Sequence, residues 1–297
     1  MRLQTVIARN AGANFRGCTA LVVGGTSGIG EAIAMRLARA QFNVVIAGRN
    51  TLRGNDVVNA LHETHYEGEH SFLHLDAQHL GDIHGLAGQF SRIDRLVCTQ
   101  GISTIQGRTE TREGLDQKMA LHYYSRIALA QEFLPLLRAS PRSPRVLSVF
   151  SAGVHAPFAK FKEDPDLKTN YSLSNAANAT GFYNDLMLEA LADENPGVAF
   201  AHTAPGFVST NWGTEMPWFI RTLFIRPLQF YGKSATDCAE FMSDFLLQET
   251  TFGFQLLNQY GEPAQPTALH TPDAKAFIRD HTLKVLSDIH TAKLASN

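Results

Sequence analysis

Short apolar runs alternate along this chain with longer stretches in which apolar residues recur every three or four positions. The runs Ala20–Val23, Val44–Ala47, Phe72–Leu75, Leu96–Thr99, Val146–Phe150, Val198–His202 and Phe254–Leu257 read as buried strands. The periodic stretches near 28–40, 52–63, 80–91, 113–138, 173–192 and 235–248 read as amphipathic helices, and Asp273–Lys293 as a further one. Such alternation predicts an α/β fold, a doubly wound parallel sheet with helices on both faces. Right-handed crossovers would put every strand C-terminus on one edge, the edge where such sheets bind ligands. No repeat, low-complexity tract or composition shift divides the chain, so one domain spanning 1–297 is expected. Met1–Phe15 reads as an extension beside the first strand, Gly153–Lys168 as a long loop, and residues from about 258 to 297 as a C-terminal extension.

The chemistry starts where the first strand meets the first helix, at Val22-Val23-Gly24-Gly25-Thr26-Ser27-Gly28-Ile29-Gly30. A glycine-rich turn in this position is a phosphate cradle. Gly24 makes the tight turn, Gly28 lets backbone N–H groups reach a pyrophosphate, and Gly30 lets the helix pack closely on the strand. Thr26, Ser27 and Ile29 complete the turn, and the partial positive charge of the helix N-terminus faces the anion. An ordinary glycine-rich turn is the plainer alternative.

Composition narrows the picture. The 297 residues are 44% hydrophobic, enough for a sizeable core. A formal net charge of −2 with no basic block gives no electrostatic footprint for nucleic acid. The 3 cysteines, widely spaced, point to a reducing, cytoplasmic setting without a metal cluster or disulfide framework. No stretch reaches the length of a membrane-spanning helix. Arg2, Arg9 and Arg16, with no acid before Glu31, leave a mitochondrial presequence as the alternative to that setting.

The G-x-x-x-G-x-G spacing resembles the fingerprint of the short-chain dehydrogenase/reductase family, and the likeness continues over roughly residues 18–260, although Val23 stands where the family usually has Thr. The resemblance implies a Rossmann-type domain that binds a nicotinamide dinucleotide. The second strand ends Gly48-Arg49-Asn50. A carboxylate there would hold a ribose 2′-hydroxyl, whereas a guanidinium can grip a 2′-phosphate. The Gly-Arg pair is similar to the NADP-preferring branch, so NADP(H) is the expected cofactor; a solvated surface arginine is the alternative. Asp76 falls where the family places an aspartate near the adenine, or it is a helix cap. Cys98-Thr99-Gln100-Gly101 keeps only Gly101 of the family's Asn-Asn-Ala-Gly. Pro205-Gly206-Phe207-Val208-Ser209-Thr210 matches the Pro-Gly-x-x-x-Thr turn that covers the nicotinamide in relatives.

For catalysis the resemblance implies Ser151 as the hydroxyl that binds the substrate oxygen and Tyr171 as proton donor or acceptor. His122 occupies the position of a proton-relay asparagine, and a neutral imidazole can likewise donate and accept. Asn175 occupies the position of the lysine in Tyr-x-x-x-Lys. That lysine normally holds the ribose and charges the tyrosine's surroundings; an asparagine brings no charge. An unassisted phenol is ionised only about one part in a thousand at pH 7. The oxidised nicotinamide's own charge, or a basic group such as Lys160, Lys162 or Lys168, is the candidate for compensation, and the sequence leaves that choice open.

The stretch 211–233 carries Trp218, Phe219, Ile220, Leu223, Phe224, Ile225, Leu228, Phe230 and Tyr231, and reads as a lid over a bulky apolar substrate. A core helix, a subunit contact or an interfacial helix are its alternatives. The expected function is an NADP(H)-dependent oxidoreductase acting on a carbonyl or alcohol. The departures at Asn175 and His122 resemble a fungal branch associated with secondary metabolism. Two rivals stay open: a non-redox enzyme on the same fold, and a catalytically decayed NADP(H)-binding regulator. Helices 113–138 and 173–192 resemble those that pair subunits in the family, so a homodimer or homotetramer is expected.

Overall fold

The computed structural model describes residues 1–65, 67–210, 218 and 232–296. Strands β1 (Thr19–Val23), β2 (Asn43–Gly48), β3 (Ser71–His74), β4 (Arg95–Cys98), β5 (Arg145–Val149), β6 (Ala199–Thr203) and β9 (Gly253–Leu257) form a parallel sheet in the order β3-β2-β1-β4-β5-β6-β9. A second, two-stranded sheet pairs β7 (Val208–Ser209) with β8 (Lys233–Ser234). The helices are α1 (Leu3–Ala11), α2 (Gly28–Arg39), α3 (Thr51–Thr64), α4 (Gln117–Met119), α5 (Ser125–Arg138), α6 (Leu173–Glu194), α7 (Ala235–Leu247) and α8 (Pro272–Ser296).

Successive strand residues feed opposite layers, as the period of two requires. Leu21, Val23, Val45, Leu96 and Val146 pack into the layer of α5, α6 and α8. Ala20, Val22, Val44, Ile46, Val97 and Leu147 pack against α2, α3 and α7. Burial on both faces explains why the inner strands β1, β2, β4, β5 and β6 read as continuous apolar runs. Each fully buried side chain such as Leu21 or Ile33 contributes roughly 1.5–3 kcal/mol.

Three local expectations are corrected. Met1–Phe15 contains helix α1, which docks on α7: Asn10 Nδ2 donates to Glu240 O at 2.9 Å, and Arg9 pairs with Asp244 at 2.5 Å. Only Val6 and Asn10 of this helix are buried, too sparse an inward face to give an apolar period. The stretch 80–91 is not one helix but two 3-10 turns, Leu80–Asp82 and Leu86–Gln89, broken by Gly85 at φ 85°. Three glycines in that stretch (Gly81, Gly85 and Gly88) lower the helical propensity that its apolar spacing suggests. The helix expected from 113 starts at Gln117, where Asp116 caps it by accepting from the amides of Lys118 and Met119. It then passes through a π-helical turn, Ala120–Tyr124, before α5.

The C-terminal extension is the long helix α8, which lies across α6. Ala274 and Ile278 are buried in the same layer as α6. Tyr123 Oη hydrogen-bonds Thr282 Oγ1, Lys275 pairs with Asp193 at 2.7 Å, and Arg279 pairs with Glu194 at 2.5 Å. The loop 153–168 is tied in beneath it, with Phe161 edge-on to Phe277 at 5.7 Å and Asp166 accepting from Tyr124 Oη at 2.6 Å. The lid reading at 211–233 falls outside the described residues except for Trp218, Gly232 and Lys233.

Candidate active site

The strand ends open onto a cleft of about 590 Å³ at the C-terminal edge of the sheet. Gly24, Thr26, Ser27, Gly28, Ile29 and Gly30 line its floor. Gly24 sits at φ 83°, and a Cβ there would lie 2.6 Å from Thr99 Oγ1. A Cβ at Gly30 would collide with the Gly24 carbonyl oxygen. The turn therefore needs glycine for backbone reasons, and it delivers the N-terminus of α2 to the cleft.

Arg49, Asp76, Gly101, Pro205 and Thr210 also line the cleft. A Cβ at Gly48 would lie 2.8 Å from Thr26 Cγ2, so any side chain at position 48 would press on the Thr26 side chain. Arg49 is exposed at the rim. Asp76 accepts from its neighbour Gln78 N at 3.2 Å in a local turn. The 205–210 turn folds back over the cradle, with Thr210 Cγ2 3.4 Å from the position a Gly28 Cβ would take. Three residues of the expected cofactor set stand elsewhere. Asn50 caps α3, accepting from Arg53 N at 3.0 Å, Val208 is buried in β7, and Gly206, at φ 69°, packs against Gln259.

His122 lies at the centre of the π-helical turn, a feature frequent at functional sites, and lines the cleft. Its Nε2 accepts the Ile102 amide at 3.0 Å, so the proton sits on Nδ1. Gly101 makes this approach possible, since a Cβ there would be 2.9 Å from Nε2. Burial, then the charges of Arg126 and Lys118, push the imidazole down to about 3, which keeps it neutral. Arg126 is a buried guanidinium at the inner wall. It donates to Gln100 O at 2.6 Å, Ser148 Oγ at 2.8 Å and Val149 O at 2.9 Å, joining the ends of β4 and β5. Burial lowers its pKa to about 10, so it stays charged at neutral pH.

The expected catalytic residues divide. Ser151 Oγ and Tyr171 Oη are both buried without a hydrogen-bond partner among the described residues. Neither residue is among those lining the cleft. Asn175 sits in the first turn of α6 and its Nδ2 donates to Asn170 O at 2.7 Å, fastening the end of the loop. Lys160 reaches Asn170 Oδ1 at 2.6 Å and Lys162 pairs with Asp273 at 2.6 Å. The cation beside the tyrosine is Lys118, whose Nζ lies 5.6 Å from the Tyr171 ring centroid and donates to Gln106 O at 2.9 Å. Sequence reasoning missed Lys118 and Arg126. Their signal was a polar stripe at four-residue spacing (Lys118, His122, Arg126) on an otherwise apolar helix.

A glycine cradle at a helix N-terminus, on the C-terminal edge of a doubly wound parallel sheet, defines a Rossmann-type protein. The chain belongs to the short-chain dehydrogenase family, whose model matches residues 18–217. It is 38% identical over 216 residues to oxidoreductase AN1596 of Emericella nidulans, a match covering 70% of this chain and 64% of that protein. The match therefore spans less than two thirds of that relative's length. Among solved structures, an uncharacterised protein from Mycobacterium paratuberculosis superposes with TM-score 0.71 at 19% identity, covering 93% of this chain and 95% of that one. A 3-oxoacyl (acyl-carrier-protein) reductase from Agrobacterium tumefaciens with NADP bound gives TM-score 0.58 at 22% identity, covering 87% of this chain and 97% of that one.

Proposed function

We propose that this chain is an NADP(H)-dependent oxidoreductase that interconverts a carbonyl and an alcohol on a bulky apolar substrate. The observation that carries the reading is the cradle with Arg49 at its rim and no acid at position 48. The cradle amides and the α2 N-terminus suit a pyrophosphate, and Arg49 suits a 2′-phosphate. The NADP-bound reductase of the same fold supports this choice. When bound, NADP(H) supplies or accepts the hydride.

The chain's own residues handle the substrate oxygen. In reduction, Ser151 Oγ holds the carbonyl oxygen and Tyr171 Oη gives it a proton; water returns that proton to the phenolate afterwards. Lys118, set against the Tyr171 ring, stabilises the negative charge that develops on the phenol oxygen. This charge takes the place of the lysine that Asn175 replaces. A buried phenol oxygen with no hydrogen-bond partner among the described residues, beside a buried lysine, favours an enzyme over a decayed regulator. The apolar 211–233 segment supports a bulky apolar substrate. A role in secondary metabolism rests on likeness to a fungal branch of the family, and a cytoplasmic setting on the free buried cysteines Cys18, Cys98 and Cys238. Among the described residues no helix is long and apolar enough to cross a membrane.

Consumption of NADPH with a ketone panel that includes benzil, a bulky apolar diketone, tests the reading. NADPH is expected to bind more tightly than NADH in a fluorescence titration. Arg49→Ala should weaken NADPH by about 1–3 kcal/mol, the scale of a charged hydrogen bond, and leave NADH nearly unchanged. Equal affinities in the wild type, or no turnover across the panel, would sink the assignment. The family likeness supports a homodimer or homotetramer, with α8 packed on α6, one of the two helices that pair subunits in relatives. Light scattering behind size exclusion should give at least twice the chain mass of 32.7 kDa; the mass of one chain would show that subunits do not pair.

A further inference from the structure

Ser151 is held from both sides of its main chain by histidines. Its N–H donates to His202 Nε2 at 3.1 Å, and its C=O accepts from His155 Nδ1 at 2.8 Å. Both rings then meet one carboxylate. His202 Nδ1 lies 2.5 Å from Asp185 Oδ1, and His155 Nε2 lies 3.2 Å from Asp185 Oδ2, the latter an ion-pair contact outside hydrogen-bond alignment. The three side chains come from the loop after β5, from α6 and from β6. They are sealed from water, at 1% exposure for His155 and 0% for Asp185 and His202. One helical turn before Asp185 stands Gly181, where a Cβ would collide with Ser151 Oγ and come within 2.7 Å of the His155 ring. The glycine lets α6 approach closely enough for Asp185 to reach both rings.

Donor and acceptor roles follow from the partners. His202 Nε2 accepts an N–H, so it carries no proton, and its proton sits on Nδ1, facing Asp185. His155 Nδ1 faces a carbonyl oxygen and must donate, while its Nε2 faces a carboxylate. The arrangement is neutral His202, anionic Asp185 and cationic His155, a trio with no net charge. Burial opposes the charge on His155, but Asp185 outweighs it and holds the group above its ordinary value. Burial likewise opposes the carboxylate, and the two histidines hold it below its ordinary value. Burial keeps His202 low, against the pull of Asp185. Arg126, on α5, is the other charge acting on His202.

We propose that Asp185 is the positioning residue for Ser151: through His155 and His202 it fixes both main-chain polar groups of the serine and leaves the hydroxyl unengaged for the substrate oxygen. This rests on the reading of Ser151 given above. It explains why a carboxylate and two histidines are buried away from the cleft, where an apolar trio of similar volume would pack with no desolvation cost.

The test is a double-mutant cycle on NADPH-dependent benzil reduction, with wild type, Ser151→Ala, Asp185→Asn and the double variant. Asp185→Asn should lower kcat by about 10–100-fold, the scale of a misplaced catalytic group, with NADPH affinity within about twofold of wild type. In the Ser151→Ala background the same change should cost less than about threefold, because no hydroxyl remains to be aimed. Equal penalties in both backgrounds would overturn the proposal, as would full activity of Asp185→Asn. Ser151→Ala at the wild-type rate would instead overturn the reading of Ser151. Nitrogen NMR of the histidine rings in the wild type needs neither turnover nor a folded variant. His155 is expected doubly protonated and His202 protonated on Nδ1 at pH 7; a neutral His155 would remove the charge arrangement on which the positioning depends.

Discussion

Tyr171→Phe is expected to lower NADPH-dependent ketone reduction by about 10²–10⁴-fold, the usual contribution of a positioned general acid. The side chain loses only its hydroxyl, which has no hydrogen-bond partner among the described residues, so folding and NADPH affinity should be preserved. Lys118→Met should slow turnover by about 10–100-fold, corresponding to about 1.4–2.7 kcal/mol of lost charge stabilisation. Asn175→Lys brings a second route to the same charge. It releases the Asn170 carbonyl, a loss of roughly 1 kcal/mol, but it should restore part of the rate in the Lys118→Met background. Steady-state kinetics of the set on benzil decide the matter. A wild-type rate in Tyr171→Phe would show that the family mechanism does not apply, and a wild-type rate in Lys118→Met would remove Lys118 from the chemistry.

Folding stability is expected to fall steeply on the acid side of neutrality. His122 is pushed down to about 3, by burial first and then by Arg126 and Lys118. His70 is pushed down to about 4, mainly by burial; its Nδ1 accepts the Val44 amide at 3.1 Å. Each binds a proton in the unfolded chain below its ordinary value near 6.5 but stays neutral when folded. The unfolded state therefore takes up more protons, and stability drops as pH falls from about 6.5 towards the folded values. The cost is roughly 2 kcal/mol per histidine between pH 7.5 and 5. His202 adds to this loss. His155, held above its ordinary value, opposes it, because its contribution is fully present below about 6.5 and fades as pH rises. Guanidinium unfolding at pH 7.5, 6 and 5 measures the slope, and His122→Asn should flatten it by about one proton. A level stability across that range would contradict the neutral assignment of both rings.

The inner strands were legible because they are buried on two faces and contribute to both cores, leaving unbroken apolar runs, while the edge strands β3 and β9 are only partly buried. The cradle was legible because its glycines answer backbone requirements that no other residue meets, at Gly24 through a positive φ and at Gly30 through contact with the Gly24 carbonyl. Helix α1 was hidden because it buries so little of itself. The break at Gly85 was hidden because apolar spacing persisted across it. Besides the nicotinamide's own charge, the sequence offers Lys160, Lys162 and Lys168, in the loop before Tyr171, as the compensating cation. It stands instead at Lys118, 53 positions earlier by subtraction of 118 from 171.

Local preferences and the alternation of buried strands and amphipathic helices are written residue by residue, so the sequence alone determined the α/β class, the family, and the glycine turn between β1 and α2. Contacts between residues far apart in the chain depend on how the layers close, and periodicity holds no record of them. The tertiary structure decided that α8 covers α6, that Lys118 faces Tyr171, and that Asp185 gathers His155 and His202 around Ser151. Charges and hydrogen bonds act over a few ångströms of space, whatever their separation along the chain, and only folding brings those groups within that range.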